Sequence, residues 1–115
     1  MTNTDLIARL ERADEMTVEL FRIASDECPP VVSVADFREW SKKFQRLIEA
    51  EAWTDAALLL VPEGNYAHIL FKADGSGLAA IGKLATSDPT DTGTISAATP
   101  ALALLIAILR TKEVA

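Results

Sequence analysis

The sequence predicts an α+β fold that combines helices with a small antiparallel β-hairpin or sheet, in the order α-α-(short α)-β-β-α. In the first half of the chain, apolar residues recur at helical intervals, and most of the charged residues lie in the same half. Residues 66–72 alternate with the period of a strand, and residues 101–109 are apolar on all sides. A chain of 115 residues, 50% of them hydrophobic, suffices for one core, so residues 1–115 are predicted to form a single domain.

The N-terminal segment predicts one long amphipathic helix. Thr2 or Thr4 can cap it, and apolar residues recur along one stripe as far as Ser25, with charged residues on the rest of its surface. Pro29 and Pro30 end this helix, because proline lacks a backbone donor and disfavours helical geometry in the residue before it.

A second amphipathic helix and a short third helix are predicted next. Ser33 and Asp36 have the spacing of a capping box, and apolar residues then recur at helical intervals to about Ala52. Residues 55–60 predict the short helix, which residues 61–65 end with a proline and a glycine.

The second half of the chain predicts a β-hairpin. Residues 66–72 alternate as the first strand, residues 74–77 form the turn, and residues 78–85 return as the second strand, although this last segment also tolerates a helix. Residues 86–98 are rich in Ser, Thr, Asp, Gly and Pro and predict a loop.

The last predicted helix is apolar nearly all round. Thr99 and Pro100 are a favourable N-cap and first residue for it. One face carries four large aliphatic residues, while Leu104 and Ile108 form part of another. The helix is therefore either a central core element or one side of a subunit contact, and the second alternative makes Leu104 and Ile108 candidate interaction residues.

Charge and cysteine content exclude several classes of function. The formal net charge is −6 and the pI about 4.7, so the protein is expected to bind neither nucleic acid directly nor anionic membrane surfaces. The single cysteine cannot form an intrachain disulfide, which favours a reducing cytoplasm. The N-terminus lacks the pattern of a signal peptide, and the longest apolar run is too short to span a bilayer.

Three segments carry a family resemblance. Residues 5–11 (DLIARLE), 54–64 (TDAALLLVPEG) and 98–104 (ATPALAL) resemble the phage ABA sandwich domain family, small proteins of bacteriophages and prophages. The resemblance implies an α-β-α sandwich, in which the small antiparallel sheet is packed between helices. It also implies a phage or prophage origin, and hence the cytoplasm of a bacterial host cell. It implies no activity and no site residues. Residues 26–53 depart from the family's pattern, which leaves the number of strands open.

Two glycine-containing segments mimic nucleotide-binding motifs. Residues 77–83 match most of a phosphate-binding loop, but Leu84 stands where the motif needs a Ser or Thr hydroxyl for Mg²⁺. Residues 75–80 resemble a dinucleotide fingerprint, but no acidic residue lies near Ile95 to bind a ribose. A strand with glycine packing and a hairpin turn are the favoured interpretations.

No set of side chains predicts catalysis or metal binding. Cys28 and His68 are the only thiol and imidazole, and nothing in the sequence supplies an orienting group for them. Asp88 and Asp91 fit no calcium loop and predict turns. The sequence therefore predicts no catalytic residue, no cofactor and no metal.

Candidate interaction residues remain. Trp40 is in phase with the apolar stripe of its helix and is predicted to pack in the core. Trp53, at a helix junction beside acidic residues, is either packed or an exposed interface anchor. Four carboxylates of the predicted first helix could mimic phosphates, although interleaved arginines also suit an ordinary solvated face; they are Glu11, Asp14, Glu15 and Glu19.

These features predict a phage or prophage accessory protein without enzymatic activity, which binds another protein or itself. The contact is expected to involve the apolar last helix or the edge of the short sheet. The alternative is an acidic inhibitor of a host defence or nucleic-acid enzyme that acts by phosphate mimicry. An enzyme is the third and least favoured class, because no acid, base and nucleophile converge in the sequence.

Overall fold

A computed structural model describes residues 2–28, 34–62, 64–83 and 94–114. Within these ranges the chain forms helices and strands in the order α1 (Asn3–Arg12), α2 (Val18–Glu27), α3 (Val34–Glu49), α4 (Trp53–Leu58), β1 (Asn65–Phe71), β2 (Gly77–Lys83), β3 (Ile95–Ala97) and α5 (Pro100–Val114). The described strands form one antiparallel sheet in the order β1-β2-β3. The α+β class and the antiparallel sheet are confirmed.

The sheet has one strand more than the sequence predicts. The hairpin joins β1 to β2 with Asn65 opposite Lys83, and β3 then pairs antiparallel with β2, with Ile95 opposite Ala79. Strand β3 lies in the segment predicted as a loop, so that prediction is wrong for residues 95–97. Three residues are too short to show the alternation by which a strand is recognised.

Helix α5 is the centre of the core. Residues 101–109 are all buried, and the six large aliphatic side chains among them have no solvent-exposed surface; they are Leu102, Leu104, Leu105, Ile106, Ile108 and Leu109. The sheet covers one side of this helix, while α1, α2 and α4 cover others. Of the two alternatives for the last helix, the central core element is therefore the one observed.

One face of the sheet packs against the core. Ala67, Ile69, Ala79 and Ile81 lie on the face of the sheet that packs against the core around α5. On the opposite face, which carries the even-numbered side chains of β1, the side chain of Leu70 is 56% exposed. Within the described ranges, α5 contacts the sheet on one side and helices α1, α2 and α4 on others.

The predicted first helix is two helices. Ala13 has an extended backbone at the end of α1, and Thr17 caps α2 by accepting a hydrogen bond of 3.1 Å from the backbone N–H of Leu20. The interruption keeps the apolar residues of both helices on the core side, so Leu10 and Met16 are both buried. The sequence does not reveal the break between the two helices, because the 3.6-residue period of apolar residues continues through it.

Helix α3 is attached through aromatic side chains. The rings of Trp40 and Phe44 stack with their centroids 4.7 Å apart, and the ring of Phe44 lies 5.7 Å from that of Phe21, measured in the same way. Trp40 also donates a hydrogen bond of 3.2 Å from Nε1 to the carbonyl oxygen of Leu59. Trp40 is only partly buried but packs against the core, as predicted. Phe37, at the outer end of this row of aromatic side chains, is 55% exposed.

The start of β2 passes very close to the start of α5. A Cβ atom added to Gly77 would lie 2.6 Å from the Cα of Pro100. The glycine thus lets the strand and the helix approach each other, as the packing interpretation of its motif expects. The preceding turn is held by Asp74, whose carboxylate accepts hydrogen bonds from the backbone and hydroxyl of Ser76. These hydrogen bonds lower the pKa of the Asp74 carboxyl.

In the ranges that the structure describes, no helix is both long and apolar enough to cross a membrane.

Candidate functional site

Strand β1 lies at an edge of the sheet. It has seven residues, and among the described strands only β2 pairs with it. At the opposite edge lies β3, which has only three residues. An edge strand of this length offers a row of backbone donors and acceptors to another strand.

The hairpin register shows which backbone groups of β1 face outward. The N–H of Lys72 donates to the carbonyl oxygen of Ser76 at 3.0 Å, which makes these two residues a hydrogen-bonded pair. Bonded and non-bonded pairs alternate in an antiparallel ladder, so the even-numbered residues of β1 are bonded to β2. The N–H and C=O groups of Ala67, Ile69 and Phe71 consequently point to the open edge.

The same strand exposes two large apolar side chains. Leu70 is 56% exposed and Phe71 is 65% exposed, and these are the highest values given for large apolar side chains in the described part of the chain. Residues 65–71 also contain no Asp, Glu, Lys, Arg or Pro. Charged residues and prolines are the usual protection of an edge strand against pairing with another chain. Strand β1 lacks this protection.

The outer face beside this edge contains a shallow cavity of about 220 Å³. Its lining includes His68 and Leu70 from β1, Leu78 and Ala80 from β2, and Thr94. The exposed imidazole of His68 makes an edge-on contact with the ring of Tyr66, with ring centroids 5.3 Å apart. This face is therefore largely apolar and lies next to the open backbone edge.

A larger groove of about 750 Å³ begins at the end of β1. Phe71 lies on it, together with Trp53 and three acidic residues from two separate segments, Glu15, Glu51 and Asp55. Trp53 is half-buried, because its ring also packs on Phe21 at 5.3 Å. Trp53 is thus partly packed, as one of its two interpretations expects, and it also lines the acidic groove; its role as an interface anchor stays a prediction.

Glu51 adopts a backbone conformation that favours glycine. Its φ is 56°, and it follows α3 in a helix-ending motif in which Glu51 N–H donates to Ile48 C=O and Ala52 N–H donates to Leu47 C=O. This is the Schellman pattern, whose left-handed position is usually glycine because a Cβ atom is unfavourable there. A glutamate at this position of the groove costs the fold some stability.

We expect Glu51→Gly to raise the free energy of unfolding by about 0.5–1 kcal/mol, because it removes the strain while retaining the hydrogen bonds of the motif. Urea unfolding followed by circular dichroism measures the change. The control is Ala50→Gly, the preceding residue, whose φ is not positive and which should therefore gain nothing. A loss of stability in Glu51→Gly would contradict the expectation.

Two of the predicted interaction residues are not on the surface. Leu104 and Ile108 have no exposed surface in the single chain, because the sheet and the surrounding helices enclose α5 on all sides. Their assignment to an interaction surface is therefore wrong. A helix that is apolar on all sides gives the same sequence pattern whether its second face packs against another subunit or against another part of the same chain.

The four acidic residues do not lie on one helix, which corrects their predicted arrangement. Glu11 is on α1, where it pairs with Arg110 at 3.6 Å, and Glu19 is in the first turn of α2. Asp14 and Glu15 lie in the connection between these helices. Of the four, Glu15 lines the acidic groove.

The other candidate groups are separated by the fold. The thiol of Cys28 lies at the end of α2 and donates to the carbonyl oxygen of Ala24 at 3.3 Å, whereas His68 is in β1. Asp88 and Asp91 lie outside the described residues. Within the ranges that are described, no group of three or more His, Cys, Asp or Glu side chains is arranged to hold a metal ion.

The sequence pattern does not mark Leu70 and Phe71 as interaction residues. Strand alternation places Phe71 on the same face as Ala67 and Ile69, which do pack against the core. Phe71 is nevertheless exposed, because it is the last residue of the strand and lies at the corner of the sheet. The available signal was the absence of charge in residues 65–71 of a strand that begins a hairpin.

No protein-family model, no curated protein and no solved structure matches the chain.

Proposed function

We propose that this protein is a non-enzymatic binding module whose edge strand β1 pairs with a strand of a protein partner. The observation that carries the proposal is an uncharged edge strand of seven residues that ends in two exposed apolar side chains, Leu70 and Phe71. Strand addition uses backbone hydrogen bonds for affinity and side chains of alternate residues for specificity.

The geometry defines what such a partner must supply. An extended segment laid along β1 would exchange hydrogen bonds with Ala67, Ile69 and Phe71, each worth about 0.5–1.5 kcal/mol net. Its side chains on the outer face would contact Leu70 and the cavity next to it. The partner segment is therefore extended, apolar on that face, and free of proline at the positions that pair.

The wider role proposed for the module is that of a phage or prophage accessory protein in the cytoplasm of a bacterial host cell. The phage origin rests on the resemblance of residues 5–11, 54–64 and 98–104 to the phage ABA sandwich domain family. The chain has one cysteine and so cannot form an intrachain disulfide, which supports the cytoplasm, and its net charge of −6 supports a protein partner over nucleic acid.

A capture experiment with a matched pair of variants tests the binding surface. We expect Leu70→Lys to lose at least about tenfold in affinity for captured proteins, because it places a charge beside the pairing edge. Leu58→Lys is the control: it makes the same exchange at a leucine that is 42% exposed on α4, away from the edge. Quantitative mass spectrometry of proteins bound to immobilised wild type and variants from host lysate measures the difference.

Amide exchange locates the contact within the chain. In the complex with a captured partner, the outward-facing amides of Ala67, Ile69 and Phe71 should exchange more slowly than in the protein alone, while those of α4 stay unchanged. Equal losses in Leu70→Lys and Leu58→Lys, or protection confined to the helices, would show that the edge strand is not the binding surface.

A second candidate function is inhibition of a basic host enzyme by carboxylates that mimic phosphates. The acidic groove favours it, because Glu15, Glu51 and Asp55 surround Trp53 and no basic residue is among the described residues that line the groove. The same capture experiment separates the two functions. A basic protein that is released by salt and retained by Leu70→Lys indicates phosphate mimicry, whereas strand addition depends on Leu70 and resists salt.

A further inference from the structure

The pairing rules of the open edge constrain what can bind to it. The outward backbone groups belong to the odd-numbered residues of β1, and the strand both begins and ends at an odd number, from Asn65 to Phe71. When two such strands overlap completely and antiparallel, residue 65 lies opposite residue 71 and residue 67 opposite residue 69. Every outward donor then faces an outward acceptor of the other strand.

We propose, building on the proposed function, that the strand that pairs with β1 is β1 of a second copy of this chain. The two strands are related by a two-fold axis that passes beside His68, the central residue of the seven. The two sheets then join into one of six strands in the order β3-β2-β1-β1-β2-β3, which is an ordinary size for a sheet. The contact is isologous and closes as a dimer.

Charge favours a second copy over a different partner at this position. Residues 65–71 contain no charged side chain, so pairing the strand with itself desolvates no charge and brings no like charges together. With a formal net charge of −6, two copies repel each other elsewhere, so association by other surfaces is disfavoured. The absence of Asp, Glu, Lys and Arg from residues 65–71 keeps this repulsion out of the direct contact between the two strands.

The side chains are also compatible with this register. On the outer face Leu70 of one copy lies opposite Tyr66 of the other, so the exposed leucine is covered by an aromatic ring that is itself half-buried. The two His68 residues lie opposite each other as a non-hydrogen-bonded pair, whose Cα atoms are about 4.5 Å apart in antiparallel sheets. No described cation or anion lines the cavity around them.

The register gives a direct crosslinking test. His68→Cys, made in a Cys28→Ser background, places the only thiol of each 115-residue chain beside the two-fold axis, at a spacing that a disulfide can bridge. We expect mild oxidation to convert most of this variant into covalent dimers on non-reducing gels. Leu58→Cys in the same background has an exposed thiol on α4, away from the two-fold axis, and should give few covalent dimers.

The non-covalent dimer is measured by sedimentation velocity over a concentration series. Wild type and Leu58→Lys should dimerise equally, and the dimer should tighten as salt rises, because salt screens the repulsion between two acidic chains. Ile69→Pro removes an outward N–H without touching the ladder to β2, and His68→Glu places two carboxylates across the axis. Each should raise the dimer dissociation constant at least about tenfold. Ile69→Pro also removes a side chain that packs against the core, so circular dichroism checks its fold, and His68→Glu, on the outer face, separates a lost contact from a lost fold.

The outcomes separate this inference from the proposed function. A strict monomer whose His68→Cys variant forms no dimer, but which captures another protein through Leu70, overturns the second copy as occupant and leaves strand addition intact. A monomer that captures nothing through Leu70 overturns both. A dimer that forms equally well in Ile69→Pro and His68→Glu overturns the β1 register.

Discussion

Leu104→Ala is expected to lower the free energy of unfolding by about 2–5 kcal/mol. Leu104 is fully buried in α5, where both the sheet and the other helices enclose the helix, so shortening the side chain leaves a cavity that neighbouring elements cannot all close. Because a domain of this size has a total stability of about 5–15 kcal/mol, the loss is a large share of it. Urea unfolding of wild type and variant gives the difference directly.

The control for this prediction is Leu58→Ala, which shortens a leucine that is 42% exposed on α4 and should cost less than about 1 kcal/mol. The comparison also distinguishes a core position from a subunit contact. If Leu104 belonged to an interface between chains, its substitution would make the oligomer dissociate while the monomer kept its stability. Sedimentation of the folded variant detects that outcome, which would contradict the enclosed position of α5.

Gly77→Ala is expected to cost about 1–3 kcal/mol or more, although it adds a single methyl group. The new Cβ would lie 2.6 Å from the Cα of Pro100, so β2 and the start of α5 must move apart. The atom that it meets belongs to the backbone, which cannot move aside as the end of a flexible side chain can. Thermal unfolding of the variant should show a clear fall in Tm.

Gly75→Ala separates this steric effect from the general cost of replacing glycine. Gly75 has a φ of 92° in the hairpin turn, and nothing lies within 4 Å of an added Cβ. Its substitution therefore pays only the backbone cost, about 1 kcal/mol. A Gly77→Ala protein as stable as wild type would show that β2 and α5 are not held at the spacing described.

Much of the fold follows from the sequence where apolar periodicity is strong and the ends are well marked. Thr99 caps α5 as predicted, by accepting a hydrogen bond of 3.2 Å from the N–H of Leu102. The hairpin register of residues 65–83 follows from alternation on both sides of a turn that contains Gly75. These are local signals, and local sequence suffices to encode them.

The remainder depends on contacts between distant segments. The break after α1 preserves the helical phase, so only the packing against α5 reveals that Thr17 starts a new helix. Strand β3 is defined by its pairing with β2 and has no pattern of its own. Whether the second face of α5 meets the same chain or another one depends on the number of elements that surround it, which periodicity does not encode.

The sequence indicated the type of contact surface, but not all of the residues that form it. The sequence indicated a sheet edge as one possible contact, and β1 is such an edge. It also indicated Trp53, which the structure brings to the acidic groove. It did not indicate Leu70 or Phe71, because the exposure of a residue at the end of a strand depends on where the neighbouring elements stop.

The enclosed position of α5 also bears on the synthesis of the protein. Helix α5 follows all the described elements that pack around it, so the apolar surface that α5 covers stays open to water until residues 101–109 have left the ribosome. The nascent chain up to that point carries a hairpin and four helices without a common core, a state open to chaperones and to aggregation. Cooperative folding therefore waits for the last helix to be made.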